Sequence, residues 1–263
     1  MSESRAAILL AGQGLIPREA VGDPPLPPLD LTVRPGSIVC LVGPDGAGKS
    51  RYLRVLAGLD APRAGQLTLL GQNAYNLDED GWRDMRRKIA FLGSRTPLIS
   101  FFSGWRNLLF PALYHRLDTP EALAEKARGL LDAIGCDGDL EQLPAYLKGV
   151  QARKLTIVRA LMLDPLLLLL DEPFRPLDSG GARALQGFLV DRARGAGLAL
   201  VLTTNDLRFV DRHADAVLFR DQDAVHFFPS LAALRQSALP AIRAYLAGTT
   251  EEGTGNEEGA AAR

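Results

Sequence analysis

The stretch Gly43-Pro44-Asp45-Gly46-Ala47-Gly48-Lys49-Ser50 leaves this chain the fewest options. It fits G-x-x-x-x-G-K-[ST], a loop whose glycines let backbone N–H groups close around a polyphosphate without side chains in the way. In that pattern Lys49 supplies a point charge to the outer phosphates, and Ser50 offers its hydroxyl to Mg²⁺. The flanks agree. Ser37 to Val42 is a continuous apolar run, read as a buried parallel strand entering the loop. Arg51 to Leu59 carries Leu53, Leu56 and Ala57 at helical spacing, read as a helix leaving it, so that the helix dipole adds to the phosphate cradle.

A second stretch supplies the acids. Leu166 to Leu170 reads as a fully buried strand that ends in Asp171-Glu172-Pro173, and ligands of open α/β sheets bind at the carboxyl ends of strands. Asp171 is placed to hold Mg²⁺, usually through water, and Glu172 to polarise a water that attacks a terminal phosphate. Further strands are expected at Ile8–Leu10, Leu29–Val33, Gln66–Leu70, Ile89–Gly93, Leu198–Thr203 and Ala216–Phe219. Helices are expected at Asp78–Lys88, Pro120–Ile134, Val150–Leu163 and Ala182–Ala193. The alternation predicts an α/β fold with a mainly parallel sheet covered on both faces. Residues 94–155 differ in character and read as a helical insertion. Pro97, Ser100, Ser103, Gly104 and Pro111 break up their aromatic-rich first part. There Phe101, Phe102 and Trp105 either line a groove for a partner or form the insertion's own core.

Composition removes several classes of function. A formal net charge of −1 leaves no electrostatic footprint for bulk nucleic-acid binding, so no nucleic-acid partner is expected. Cys40 and Cys136 make no disulfide framework and suit a reducing compartment. No signal peptide and no membrane span is read in the sequence. From Thr249 onward the residues are Gly, Glu, Thr and Ala with little else, and residues 249–263 are expected to be a disordered tail.

Taken in order, the phosphate loop, helical insert, Leu147 to Gln151 at a helix start, and Leu-Leu-Asp171-Glu172-Pro173 resemble an ABC-transporter nucleotide-binding subunit. The resemblance covers nearly the whole chain. It implies a P-loop NTPase (RecA-like) core with an N-terminal antiparallel β region and an inserted helical subdomain, together forming one domain over residues 1–248. It also implies Mg-ATP as ligand, ATP hydrolysis, a second ABC ATPase subunit as dimer partner, and an ABC permease at the cytoplasmic face of a membrane. Three stretches are similar to the ATPase of phospholipid-transport systems with an MCE component: Asp171-Glu172-Pro173-Phe174, Arg106 to Pro111, and Pro240 to Gly248.

The departures from the family pattern are informative. The signature motif, usually LSGGQ, reads Leu147-Lys148-Gly149-Val150-Gln151: a lysine replaces the hydroxyl donor, and a β-branched valine replaces a glycine. In the family this motif meets the partner subunit's ATP, so Lys148, Gly149 and Gln151 are candidate nucleotide contacts. The switch loop places Asn205 where histidine is usual; its amide hydrogen-bonds but carries no charge. Ser94 stands where the family has glutamine, Arg51 where it has threonine, and the aspartate loop keeps Asp178. No aromatic residue precedes Tyr52, so the adenine platform is missing. His115, His213 and His226 lie away from these motifs and read as surface or structural. The expectation is ATP binding with slow turnover as a homodimer. The alternative is a non-hydrolysing or regulatory subunit that pairs with an intact ATPase.

Overall fold

A computed structural model describes residues 8–19, 24–94, 97–175 and 177–254, the last six by backbone only. In chain order the elements begin with β1 (Leu10–Pro17), β2 (Leu29–Val33), β3 (Ile38–Val42), α1 (Lys49–Leu56), β4 (Pro62–Leu69) and β5 (Gln72–Asn73). Next come α2 (Glu79–Lys88), β6 (Ile89–Leu92), α3 (Gly104–Tyr114), α4 (Pro120–Ile134), α5 (Gly149–Leu161) and β7 (Leu167–Asp171). The chain continues with α6 (Ser179–Ala196), β8 (Ala199–Thr203), α7 (Leu207–His213), β9 (Ala216–Arg220), β10 (Val225–Phe228), α8 (Leu231–Arg235) and α9 (Pro240–Thr254).

The strands form two sheets. One has the order β10-β9-β3-β8-β7-β6 and is parallel except for the β9–β10 hairpin; the other is antiparallel, in the order β2-β1-β4-β5. Alternation along each buried strand decides what it packs against. Cys40, Val42, Leu168, Leu170, Leu200 and Leu202 face a core shared with α3, α4, α5 and α6. Their neighbours Val39, Leu41, Leu167, Leu169 and Val201 face the other side, against α1 and the antiparallel sheet. Leu108, Leu123, Ala127, Leu130 and Leu155 from the helices of the insertion join the first core, so the insertion is continuous with the sheet's packing. Most expected elements lie within a few residues of their predicted bounds.

Three expectations need correction. The first strand starts at Leu10 and runs through Gly12 and Gly14, with a register shift between Gly12 and Leu15, whereas Ile8 is exposed. The bulge accommodates those glycines, so the strand continues past the expected end at Leu10. The broken stretch before His115 is in fact the helix α3, with Pro111 inside it. An interior proline loses one helix hydrogen bond. Burial of Leu108 and Ala112 offsets this, and so does Ser103, whose hydroxyl caps the first turn by accepting from the Arg106 N–H at 3.2 Å. Asn107 organises the loop before α3: its Oδ1 accepts from the Ile99 N–H at 2.7 Å, and its Nδ2 donates to three loop carbonyls. Finally, α9 continues to Thr254, past the boundary expected at Thr249. A helix already nucleated gains one hydrogen bond per added residue without needing apolar side chains. Residues 255–263 lie outside those described.

Candidate functional site

The loop after β3 is shaped by what lies beside it. Gly43 has φ +142, and a Cβ there would sit 2.3 Å from the Arg220 carbonyl oxygen on the adjacent strand β9. Gly46 has φ +80, and a Cβ there would meet nothing within 4 Å. The loop therefore needs glycine at Gly46 for its left-handed backbone, and its outer side is open. Gly48 caps α1, also in the left-handed conformation. Lys49, buried at the start of α1, donates through Nζ to the Gly43 carbonyl at 2.6 Å and the Pro44 carbonyl at 2.9 Å. Burial lowers its pKa, against the opposing charges of Glu172, Asp45 and Asp171.

The acids come from two strands away, since β8 lies between β3 and β7. Thr203 ends β8 in register with Asp171. Its hydroxyl donates to Asp171 Oδ1 at 2.7 Å and accepts from the Glu172 N–H at 2.9 Å. Ser50 Oγ donates to the same Oδ1 at 2.9 Å, so one carboxylate oxygen gathers the phosphate-loop helix and the middle strand. Asp171 is only 5 % exposed, and at that burial the two hydroxyls replace lost water. Glu172 has φ 45, a left-handed backbone that costs a non-glycine residue on the order of 1 kcal/mol or more. Burial raises its carboxyl pKa above the ordinary range; Lys49 opposes this. Buried Arg153, from α5, holds the strand ends by donating to the Gly93 carbonyl at 2.9 Å and the Asp171 carbonyl at 3.1 Å.

A cavity of about 440 Å³ opens over these groups; its lining includes residues 45 to 51, Asp171, Glu172 and Arg175. Pro24, Leu26 and Arg220 complete it. Two observations test whether it suits a magnesium-bound polyphosphate. The Nε of Arg220 is buried without a hydrogen-bond partner, which favours an anion. Among the described residues no three or more His, Cys, Asp or Glu side chains cluster as a metal cage. Magnesium keeps several waters and binds through one or two protein groups plus phosphate oxygens. Ser50 and Asp171 fit that donor set. Tyr52 offers no platform for a base: it is buried, and its hydroxyl donates to the Pro27 carbonyl at 2.6 Å.

The remaining candidates divide. Asn205 reaches the phosphate loop: its Nδ2 donates to Asp45 Oδ1 at 3.0 Å, and its Oδ1 accepts from the Tyr245 hydroxyl at 3.2 Å. Arg51 lines the cavity, but Ser94, just beyond β6, is exposed and does not. Lys148 and Gly149 are exposed at the start of α5. Gln151 serves its own neighbourhood, accepting from the Lys148 N–H at 3.1 Å and donating to the Asp137 carbonyl at 2.5 Å. Asp178 caps α6 by accepting from the Gly181 N–H at 2.7 Å. His226 pairs with Asp221 at 2.9 Å, and His213 stacks near Phe209. His115 borders a separate groove of about 660 Å³ with Trp82, Arg83, Arg86 and Tyr114. Trp105 packs against the core, whereas Phe101 is 76 % exposed. Sequence reading missed Thr203, Arg153, Arg175 and Arg220. Thr203 alone carried a usable signal, as a hydroxyl at the end of an otherwise apolar strand.

Comparison with known proteins gives a consistent outcome. The sequence pattern of a family described as "ABC transporter" matches residues 26–175. The lipoprotein-releasing system ATP-binding protein LolD of Pseudomonas fluorescens is 35% identical over 191 residues, 72% of this chain and 83% of that protein. The macrolide export ATP-binding/permease protein MacB of Hyphomonas neptunium is 34% identical over 194 residues, 73% of this chain and 30% of that protein. This chain thus spans under a third of the MacB relative's length. Among solved structures, the dimeric post-hydrolysis state of the ATP-binding cassette MJ0796 bound to ADP and Pi superposes with a TM-score of 0.76. That match covers 84% of this chain and 98% of the other at 23% identity, a likeness of fold.

Proposed function

This chain belongs to the ABC transporter family of ATP-binding proteins, and from that premise we propose that it binds Mg-ATP and hydrolyses it slowly to drive a membrane permease. The observation that carries the reading is the single Asp171 oxygen shared by Ser50 and Thr203 beneath the glycine cradle, with Glu172 adjoining. Ser50 and Asp171 would hold Mg²⁺, which when bound neutralises charge on the phosphates. Lys49 gives up the Gly43 and Pro44 carbonyls for the outer phosphates. Glu172, its carboxyl pKa raised by burial, accepts a proton from the attacking water. Asn205 hydrogen-bonds a phosphate oxygen as a neutral group.

Slow turnover is proposed because the lid of each site comes from a second subunit. On this chain the lid segment presents Lys148 and Val150 where a hydroxyl and a glycine are usual. The loss of one transition-state donor lowers rates by ~10²–10³. The proposed assembly is two ATPase subunits on a permease at the cytoplasmic face of a membrane. The stretch from Leu98 to Leu113 is the proposed permease contact: Phe101 is exposed there, and ring contacts through Phe102 and Phe110 lead from it to Tyr114 on the groove with Trp82 and His115. Phospholipid or another apolar molecule is the proposed cargo. Its support is the similarity of the Asp171 to Phe174, Arg106 to Pro111 and Pro240 to Gly248 stretches to the phospholipid-transport ATPases. Among the described residues no helix is long and apolar enough to cross a membrane, so the span is assigned to the permease.

The test is ATP affinity measured alongside phosphate release, on the purified chain and on the complex it captures. Expected are binding with slow release alone and faster release with permease. Brisk release by the chain alone would reject the slow-lid reading. The exposed Lys148 also favours a second reading, in which this chain pairs with an intact ATPase and leaves one strong and one weak site. Co-purification with only itself and a permease would count against it.

A further inference from the structure

Arg175, on the loop leaving β7, lines the same cavity as Lys49, Ser50 and Glu172. Its Nη2 stands 3.4 Å from Asp45 Oδ2. The other oxygen of that carboxylate accepts from Asn205 Nδ2 at 3.0 Å and lies 3.9 Å from Lys49 Nζ. A carboxylate in a polyphosphate loop repels its ligand unless it is neutralised, and here an amide, an ammonium and a guanidinium surround it. The guanidinium is the partner most easily released. The pair is long and both side chains are well exposed, 68% and 61%; such pairs shift an equilibrium by no more than about fivefold. A phosphate offers an arginine more, because its fork makes two parallel N–H···O bonds to phosphate oxygens.

We propose that Arg175 is this chain's own cation for the terminal phosphate of bound ATP, held on Asp45 until that phosphate arrives. The proposal rests on the nucleotide reading above. It supplies in cis a charge that Asn205 cannot carry, from a loop residue that the family resemblance did not single out. The two nucleotides separate its contribution: ATP has the phosphate that Arg175 would grip, and ADP lacks it.

The experiment is calorimetric binding of Mg-ATP and Mg-ADP to the full chain carrying Arg175→Gln, Asp45→Asn, or both. Arg175→Gln is expected to weaken ATP by about ten- to a hundredfold, the size of a lost charge-assisted hydrogen bond, with ADP changed less than about twofold. Asp45→Asn frees the guanidinium and is expected to widen the preference for ATP. The double variant should stay as poor at discriminating ATP from ADP as Arg175→Gln. If Arg175→Gln weakens both nucleotides alike and Asp45→Asn restores them, Arg175 merely neutralises Asp45 and the proposal falls. It falls equally if Arg175→Gln changes neither affinity. Should the unaltered chain bind neither nucleotide, the nucleotide reading goes first and takes this one with it.

Discussion

The half of the site proposed to grip phosphate and the half proposed to close over a partner are built on different principles. In the first, Asp171, Glu172 and Thr203 sit at the ends of the adjacent parallel strands β7 and β8, and Ser50 sits on α1, which packs against both; they are tied by hydrogen bonds of 2.7–2.9 Å. A buried carboxylate without partners is costly, so this half is fixed by the fold itself. In the second, Lys148 and Gly149 are exposed, and the side chain of Gln151 is engaged in its own helix start and the preceding loop. The hydrogen bonds of Gln151 join the start of α5 to the preceding loop and none of them reaches the acids. The contrast teaches that one half can tolerate little change, while the other can drift without harm to folding.

Four results would break or sharpen that contrast. Glu172→Gln should lower phosphate release by about 10²–10⁴, the worth of a general base, while ATP still binds; surviving turnover would mean the acid half is not where the chemistry happens. Thr203→Val leaves Asp171 one donor short and the Glu172 N–H unpaired, which should destabilise the isolated chain by about 1–3 kcal/mol in denaturant melts. Lys148→Ser with Val150→Gly should leave that stability unchanged and raise turnover about tenfold, a fraction of what one oxyanion donor supplies. An unaltered rate would show that the lid is not limiting. Acidity is the mildest probe. Since burial raises the Glu172 pKa, its protonated form is the one the fold favours. That stabilising contribution is full below the ordinary glutamate value of 4.5 and is lost as pH rises through the raised value. Turnover needs the ionised form and should rise across the same window. Half-maximal release at or below pH 4.5 would contradict the burial of this carboxyl.

Much of this was legible in the linear chain, for a physical reason. Gly43 to Ser50, the leucine strand and Asp171-Glu172 are local: period, backbone freedom and charge are written in consecutive residues. The regular helices α2 and α4 were equally plain, because Asp78 and Thr119 cap them and apolar spacing runs along α4. Local signals misled where packing overruled them, as at Pro111 inside α3 and at Gly12 and Gly14 inside β1. Other features had no linear signature at all. The order β3-β8-β7 puts Thr203 between the two halves of the phosphate site, and the turn after β7 brings Arg175 to Asp45 across 130 residues of chain. Such pairings are chosen by which strands lie side by side, a long-range event that no window of neighbouring residues encodes.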